Sequence, residues 1–216
     1  MEDTLRRLAQ GQVPSSQLPR AFSVDDLRLG LAELCHRAFK ILPQAEWGAC
    51  ILLQGDHLRL THHVGGWKTG VTPNCEPGEH RDGVYVGFVH VHLPDKASGK
   101  HYMGFSSQDY RATLADGDNL ALVCNGPEVY ALVRTSDKTR KPEIVGDKEF
   151  SDWQDLYSTF IQQAKAALGS TRRTRTASGA ILDQALWQAN REICIRLGFA
   201  FYRGLWGDPL VRVLQP

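Results

Sequence analysis

His90-Val91-His92 is the spacing in this chain that most suggests chemistry. Residues two apart on a strand point to the same face, so both imidazoles could reach one point in space, as a metal ion requires. By spacing alone the pair also fits two half-exposed histidines on a sheet face. Ser106-Ser107-Gln108-Asp109 follows. As Ser-x-x-Asp it reads as a helix start, with Ser106 as the N-cap and an acid in the first turn, where the helix dipole favours it. Asp109 could equally be the third ligand that His90 and His92 lack. Three protein ligands with a fourth position left open is the arrangement of a catalytic zinc. Upstream, Glu46 stands before the apolar run Ala49 to Leu53. It reads either as a solvated acid or, beside a metal, as the general base that takes a proton from water.

Such residues need elements to hold them. Ser23 lies three residues ahead of Asp26, which suggests a capping box, and Leu27, Leu31, Leu34 and Ala38 predict an amphipathic helix over 24–41. Ala49 to Leu53 and His57 to Val64 read as paired strands across Gly55-Asp56, and Val84 to His92 as a strand carrying both histidines. A loop from Gly65 to Gly83 intervenes, too long to be idle in a compact domain. Ser106 opens a short helix to about Ala115, and Leu120 to Cys124 and Val129 to Arg134 form a hairpin across Asn125-Gly126. Asp152 to Leu168 and Ala180 to Leu197 read as helices joined by a linker over Gly169 to Gly179, and Phe199 to Leu214 as a docked strand. This order of helix, strands, helix, strands, helix predicts an α/β sandwich.

Taken together, Glu46 before its Gly-containing apolar strand, His90-x-His92 ending a later strand and Ser106-x-x-Asp109 at a helix start resemble the JAMM (MPN-plus) metalloprotease family, bacterial type. The resemblance covers roughly residues 24–168. It implies a cytidine-deaminase-like three-layer sandwich, with a mixed central sheet flanked by helices. Here that core would carry a leader (1–22) and a C-terminal helical and aromatic extension (169–216), leaving the JAMM domain at 23–168. It further implies one zinc per chain on His90, His92 and Asp109, with Glu46 activating the water and Ser106 hydrogen-bonding the oxyanion. The implied reaction is hydrolysis of the amide after the C-terminal glycine of a ubiquitin-like modifier, in precursor processing or deconjugation. Partners would be that modifier or its conjugate and E1/E2-like proteins of the same operon. Metal-free members of the family act as scaffolds, which is the alternative function. Two departures stand out. Thirteen residues separate His92 from Ser106, longer than the usual spacing and consistent with an insertion near Lys96 to Met103, and the proline that often follows the second His is displaced to Pro94.

Composition bounds the rest. The 216 residues carry 25 Lys plus Arg against 24 Asp plus Glu, a net charge of +1 that gives no general pull toward nucleic acid or anionic lipid. No apolar run suits a membrane span, and Met1 to Gln10 lacks the apolar stretch of a signal peptide, so a soluble cytoplasmic protein is expected. The five cysteines lie far apart with no Cys-x-x-Cys and read as reduced, buried thiols. The deaminase signature His-x-Glu with Pro-Cys-x-x-Cys is absent. A Cys-His hydrolase on Cys75 or Cys124 stays open, although nothing local activates either thiol. His62, His63 and His80 read as ordinary strand and loop residues, His101 as a residue of the insertion, and Arg172-Arg173-Thr174-Arg175 as a solvated basic loop. The terminal aromatics Trp187, Phe199, Phe201, Tyr202 and Trp206 are too many for a free tail and are expected to fold onto the core.

Overall fold

The computed structural model describes residues 2–40, 45–67, 70–71, 73, 75, 79–80, 83–93, 104–140, 147–169 and 175–214. In chain order the elements are α1 (Glu2–Ala9), β1 (Ala21–Phe22), α2 (Arg28–Lys40), β2 (Trp47–Gln54), β3 (His57–Gly65), β4 (Glu79–His80), β5 (Gly83–Val91), α3 (Ser107–Ala115), β6 (Leu120–Asn125), β7 (Glu128–Val133), α4 (Asp147–Gly169), α5 (Arg175–Leu197), β8 (Ala200–Leu205) and β9 (Leu210–Leu214). The strands form one mixed sheet in the order β1-β9-β8-β7-β6-β5-β2-β3, with β4 pairing β5 off that path. Only β5 and β6 run parallel. A parallel pair needs a crossover, and α3 lies in that connection.

Alternation along the strands sends side chains to both faces, and each face is covered. Val89, Val91, Leu120, Leu122, Val129 and Ala131 look one way, into a core shared with Leu31, Leu34 and Ala38 of α2. Phe88, Ala121, Val123, Tyr130, Leu132 and Phe201 look the other way, into a core shared with Tyr110 and Leu114 of α3 and Ile193, Cys194 and Leu197 of α5. The expected mixed α/β architecture, a central sheet with helices on both faces, is therefore present. Because β5 and β6 bury both faces, they read as near-continuous apolar runs rather than alternating ones.

Both flanking segments belong to the same fold. Residues 1–22, expected as a loose leader, include α1 and bury Leu8, Ala9, Val13 and Leu18 in the first core. The Ser15 amide and hydroxyl donate to the Asp137 carboxylate at 2.7 and 2.8 Å, and the Tyr202 hydroxyl donates to Pro19 O at 2.9 Å. The segment from 169 onward is no appendage to a closed sheet. β8 pairs antiparallel with β7 and β9 with β8, so the aromatic end extends the sheet as a hairpin rather than a single strand. α5 begins at Arg175, inside the stretch expected as linker; Arg172, Arg173 and Thr174 of the basic cluster lie outside the described residues.

The helical capping expected at Ser23 is not made. Ser23 Oγ accepts from the Asp25 amide at 3.1 Å, and Asp26 instead accepts from the Leu58 amide at 3.2 Å while facing His57 Nδ1. A partner on β3 outcompetes the local cap, and α2 starts only after a 3-10 turn at Asp25–Leu27. No helix among the described residues is long and apolar enough to cross a membrane.

One sequence expectation is overturned outright. Cys50 of β2 and Cys75 are disulfide-bonded across a separation of 25 residues, leaving Cys35, Cys124 and Cys194 as free, buried thiols. The bridge draws the loop after β3 back over the start of β2. There Gly48 admits it, because a Cβ would lie 2.9 Å from Pro73 and 3.1 Å from Val71. Disulfides are rare in reducing compartments, so the reduced-thiol argument for a cytosolic location falls.

Candidate metal centre

The two histidines sit where β5 ends beside β6. His90 is the penultimate residue of β5 and His92 follows it; the His92 amide donates to Cys124 O at 3.0 Å and carries the ladder one step further. Both rings lie on the face of the second core, where Phe88 stacks on His90 with centroids 5.6 Å apart. Both are buried, at 3% and 8% exposure. Buried polar rings need partners, and theirs converge.

The third residue comes from the start of α3. Ser106 caps that helix: its Oγ accepts from the Asp109 amide at 3.3 Å while Asp109 Oδ2 accepts from the Ser106 amide at 2.6 Å, a reciprocal capping box. The structural role expected for Ser106 and the placement needed for Asp109 are thus one arrangement. The box turns the carboxylate toward the strand end. Asp109 Oδ1 lies 3.2 Å from His90 Nε2 and Oδ2 lies 3.3 Å from His92 Nε2.

The two Nε2 atoms are 2.9 Å apart. Either one ring donates its proton to the other, or both lone pairs and the carboxylate converge on a cation. The spacing is compatible with the second arrangement. Ligand atoms around a tetrahedral ion with bonds near 2.0–2.1 Å lie about 3.3 Å apart, and the contacts of 2.9, 3.2 and 3.3 Å, the last two made by different oxygens of Asp109, are of that order. His90, His92 and Asp109 thus form a group that could hold a metal ion, and no other such group occurs among the described residues. The Nδ1 atoms of both rings are buried without a hydrogen-bond partner among the described residues, so both rings do their polar work at the Nε2 edge.

The electrostatics follow from this packing. Burial alone would raise the Asp109 carboxyl, but the charge and hydrogen bonding of His90 and His92 outweigh it and hold the group well below the usual carboxylate range.

Glu46 stands just before β2. The β2–β5 register ends with Gly48 opposite His90, and Glu46, two residues earlier, is in electrostatic reach of His92 and Asp109. The Glu46 backbone is clamped on both sides, its amide donating to Trp67 O at 3.0 Å and its carbonyl accepting from the Gly66 amide at 2.8 Å. Burial raises the Glu46 carboxyl to about 7, with His92 lowering it and Asp109 raising it. A carboxyl near 7 is half-protonated at neutral pH, the condition in which one group can both take and return a proton. All five residues singled out in the sequence therefore belong to one end of the sheet.

Other candidates separate from this site. His63 lies in β3, where burial and then Arg37 lower its pKa while Glu33 raises it. His62 takes a positive φ of 51° at the bulge opposite Gly48 and Cys50. His80 lies in β4, and His101 and Pro94 fall outside the described residues. Neither thiol offered for a cysteine hydrolase is available as a nucleophile. Cys75 is in the disulfide, and a hydrogen bond with Cys35 together with burial pushes the Cys124 thiol up.

Sequence reasoning missed two neighbours of the site. Trp67 is 83% exposed in the loop whose backbone brackets Glu46. Asn190 of α5 reaches Phe105, the residue before Ser106, from 85 positions away in the chain. An exposed aromatic and a lone asparagine have no periodic or spacing signal that would single them out.

No protein-family model matches the chain, and neither a curated protein nor a solved structure does.

Proposed function

We propose that the chain is a zinc-dependent peptidase or isopeptidase of the JAMM type. The observation that carries this reading is the convergence of His90, His92 and Asp109 in one group that could hold a metal ion, with Glu46, just before β2, in electrostatic reach of His92 and Asp109. Two imidazoles and one carboxylate are a ligand set of catalytic zinc sites. When bound, zinc supplies Lewis acidity, acidifying water and polarising a carbonyl.

The chain's own residues perform the proton chemistry. Glu46 takes a proton from the attacking water onto its carboxylate, then delivers it to the departing amine nitrogen; a pKa near 7 serves both steps. Ser106 Oγ spends an acceptor site on the Asp109 amide, which leaves its O–H to donate to the developing oxyanion. Asp109 stays ionised because both of its oxygens face imidazoles. The substrate class follows from the family resemblance: the amide after the C-terminal glycine of a ubiquitin-like modifier, with E1/E2-like proteins as companions.

Metal analysis and a cleavage assay on modifier–glycine amide fusions test this reading. The expected results are one zinc per chain, activity lost on chelation and restored by zinc, and turnover lost by about 10²–10⁴ in Glu46→Gln with zinc retained. Ser106→Ala should lower kcat by about 10²–10³, again with zinc in place. A wild-type chain that binds no zinc after mild purification would instead support the non-catalytic scaffold reading.

A further inference from the structure

Among the described residues, Asn190 of α5 places a polar side chain against the second core. It is 1% exposed, and both ends of its carboxamide are hydrogen-bonded. The Oδ1 atom accepts from the Phe105 amide at 3.0 Å and from the Tyr110 hydroxyl at 2.8 Å, and Nδ2 donates to Leu186 O at 2.8 Å. The Tyr110 hydroxyl also lies 3.2 Å from Cys194 Sγ, one turn further along α5.

The two donors to Oδ1 matter because of their positions. Phe105 directly precedes Ser106, and Tyr110 directly follows Asp109. A single oxygen therefore grips both ends of the four-residue capping box that aims the Asp109 carboxylate. The approach is close on the loop side as well. Gly104 takes φ +82°, and a Cβ there would lie 2.8 Å from Asn190 Oδ1, so glycine at 104 lets the chain pass over the carboxamide.

We infer that Asn190 is a positioning residue of the metal centre, acting through the Phe105 amide and the Tyr110 hydroxyl to set where Asp109 stands relative to His90 and His92. The inference rests on the metal-binding reading above. In one respect it goes further, because it makes α5, which lies outside the motif-bearing stretch, a working part of the site. Groups that orient a metal ligand from behind govern metal affinity and geometry, and their loss typically costs 10- to 100-fold in affinity.

The test uses the full chain with zinc and cobalt as probes. Zinc affinity is measured by chelator competition, the visible spectrum of the cobalt-loaded protein reports coordination geometry, and circular dichroism reports the fold. Asn190→Leu should bind zinc about 10- to 100-fold more weakly with an altered cobalt spectrum. Tyr110→Phe removes one of the two donors at nearly constant volume and should show a smaller loss in the same direction. Asn190→Asp keeps an acceptor oxygen and should recover much of the affinity lost in Asn190→Leu. A folded Asn190→Leu chain with wild-type zinc affinity and an unchanged cobalt spectrum would overturn the inference while leaving the zinc site intact. Should Asn190→Leu fail to fold, Tyr110→Phe decides, and wild-type affinity and spectrum in that variant overturn it. A wild-type chain without zinc affinity overturns both this inference and the metal reading.

Discussion

Asp109, half-buried in the first turn of α3, and Asp118, buried just beyond its other end, are driven in opposite directions by their surroundings. Asp109 lies in the first turn, held by the capping box, with both oxygens facing imidazoles. Its carboxyl is held well below the usual range despite burial. Asp118 follows the other end of the helix and is 1% exposed. Its Oδ1 accepts from the Tyr85 hydroxyl at 2.5 Å, while Oδ2 has no hydrogen-bond partner among the described residues. The nearby Arg134 guanidinium donates to backbone carbonyls, to Asp118 O at 2.9 Å and Thr113 O at 3.4 Å, rather than to that oxygen. Burial therefore prevails and raises Asp118 to about 7; Tyr85 lowers it, Asp116 raises it and Arg134 lowers it. Both carboxyls are pushed up by burial, so the difference comes from what faces each carboxylate oxygen. One end of the helix keeps a carboxylate facing two imidazoles, the other tolerates a carboxyl that is easily protonated.

The largest effect should come from breaking the first carboxylate. Asp109→Ala removes one of the three proposed ligands and leaves two buried imidazoles facing each other, so under the proposed function zinc content should fall from one per chain toward zero and cleavage to background; metal analysis of the purified variant checks this. Glu46→Gln, which spares the ligands, should keep the zinc and lose about 10²–10⁴ in turnover. If zinc were lost with it, Glu46 would belong to the ligand set and the contrast between ligand and base would collapse.

The second carboxylate is probed through pH. A folded-state pKa above the ordinary 3.8 means that Asp118 contributes fully to stability below about pH 4, and that this contribution is lost as pH rises toward about 7. Moving one carboxyl from 3.8 to about 7 corresponds to about 4 kcal/mol at 1.36 kcal/mol per tenfold. Denaturant unfolding of Asp118→Asn should therefore show a flatter profile between pH 4 and 7 than the wild type. Equal slopes in the two proteins would remove Asp118 as the source of the difference. The smallest effect concerns the cap that sets Asp109 apart. Ser106→Ala should cost about 1 kcal/mol of stability, and Ser106→Gly only a few tenths, read by thermal or urea denaturation.

Much of the site was legible because each of its parts is a local signal. His90 and His92 share a face because of the two-residue period of a strand, and Ser106 and Asp109 are coupled by the geometry of a helix start. The same local rules failed at Ser23 and Asp26, where β3 offered Asp26 a better partner than the α2 terminus. The leader reads as loose from its Gln, Ser, Pro and Gly content, yet Leu5, Leu8 and Ala9 hold helical spacing, and Leu8, Ala9 and Val13 fill the first core.

By itself, then, the sequence determined the central elements, the residues that gather at the strand end and the apolar runs that had to be buried on both faces. Each of these follows from spacing over a few residues. Only the tertiary structure decided that Cys50 meets Cys75, that Glu46 comes within electrostatic reach of His92, that α5 reaches back through Asn190 and that Asp118 has no partner among the described residues at one oxygen. These depend on which distant segments share a boundary. Cysteine, asparagine and aspartate look the same in sequence whether water or a buried partner surrounds them, and burial beside a particular partner is what gives each its chemistry.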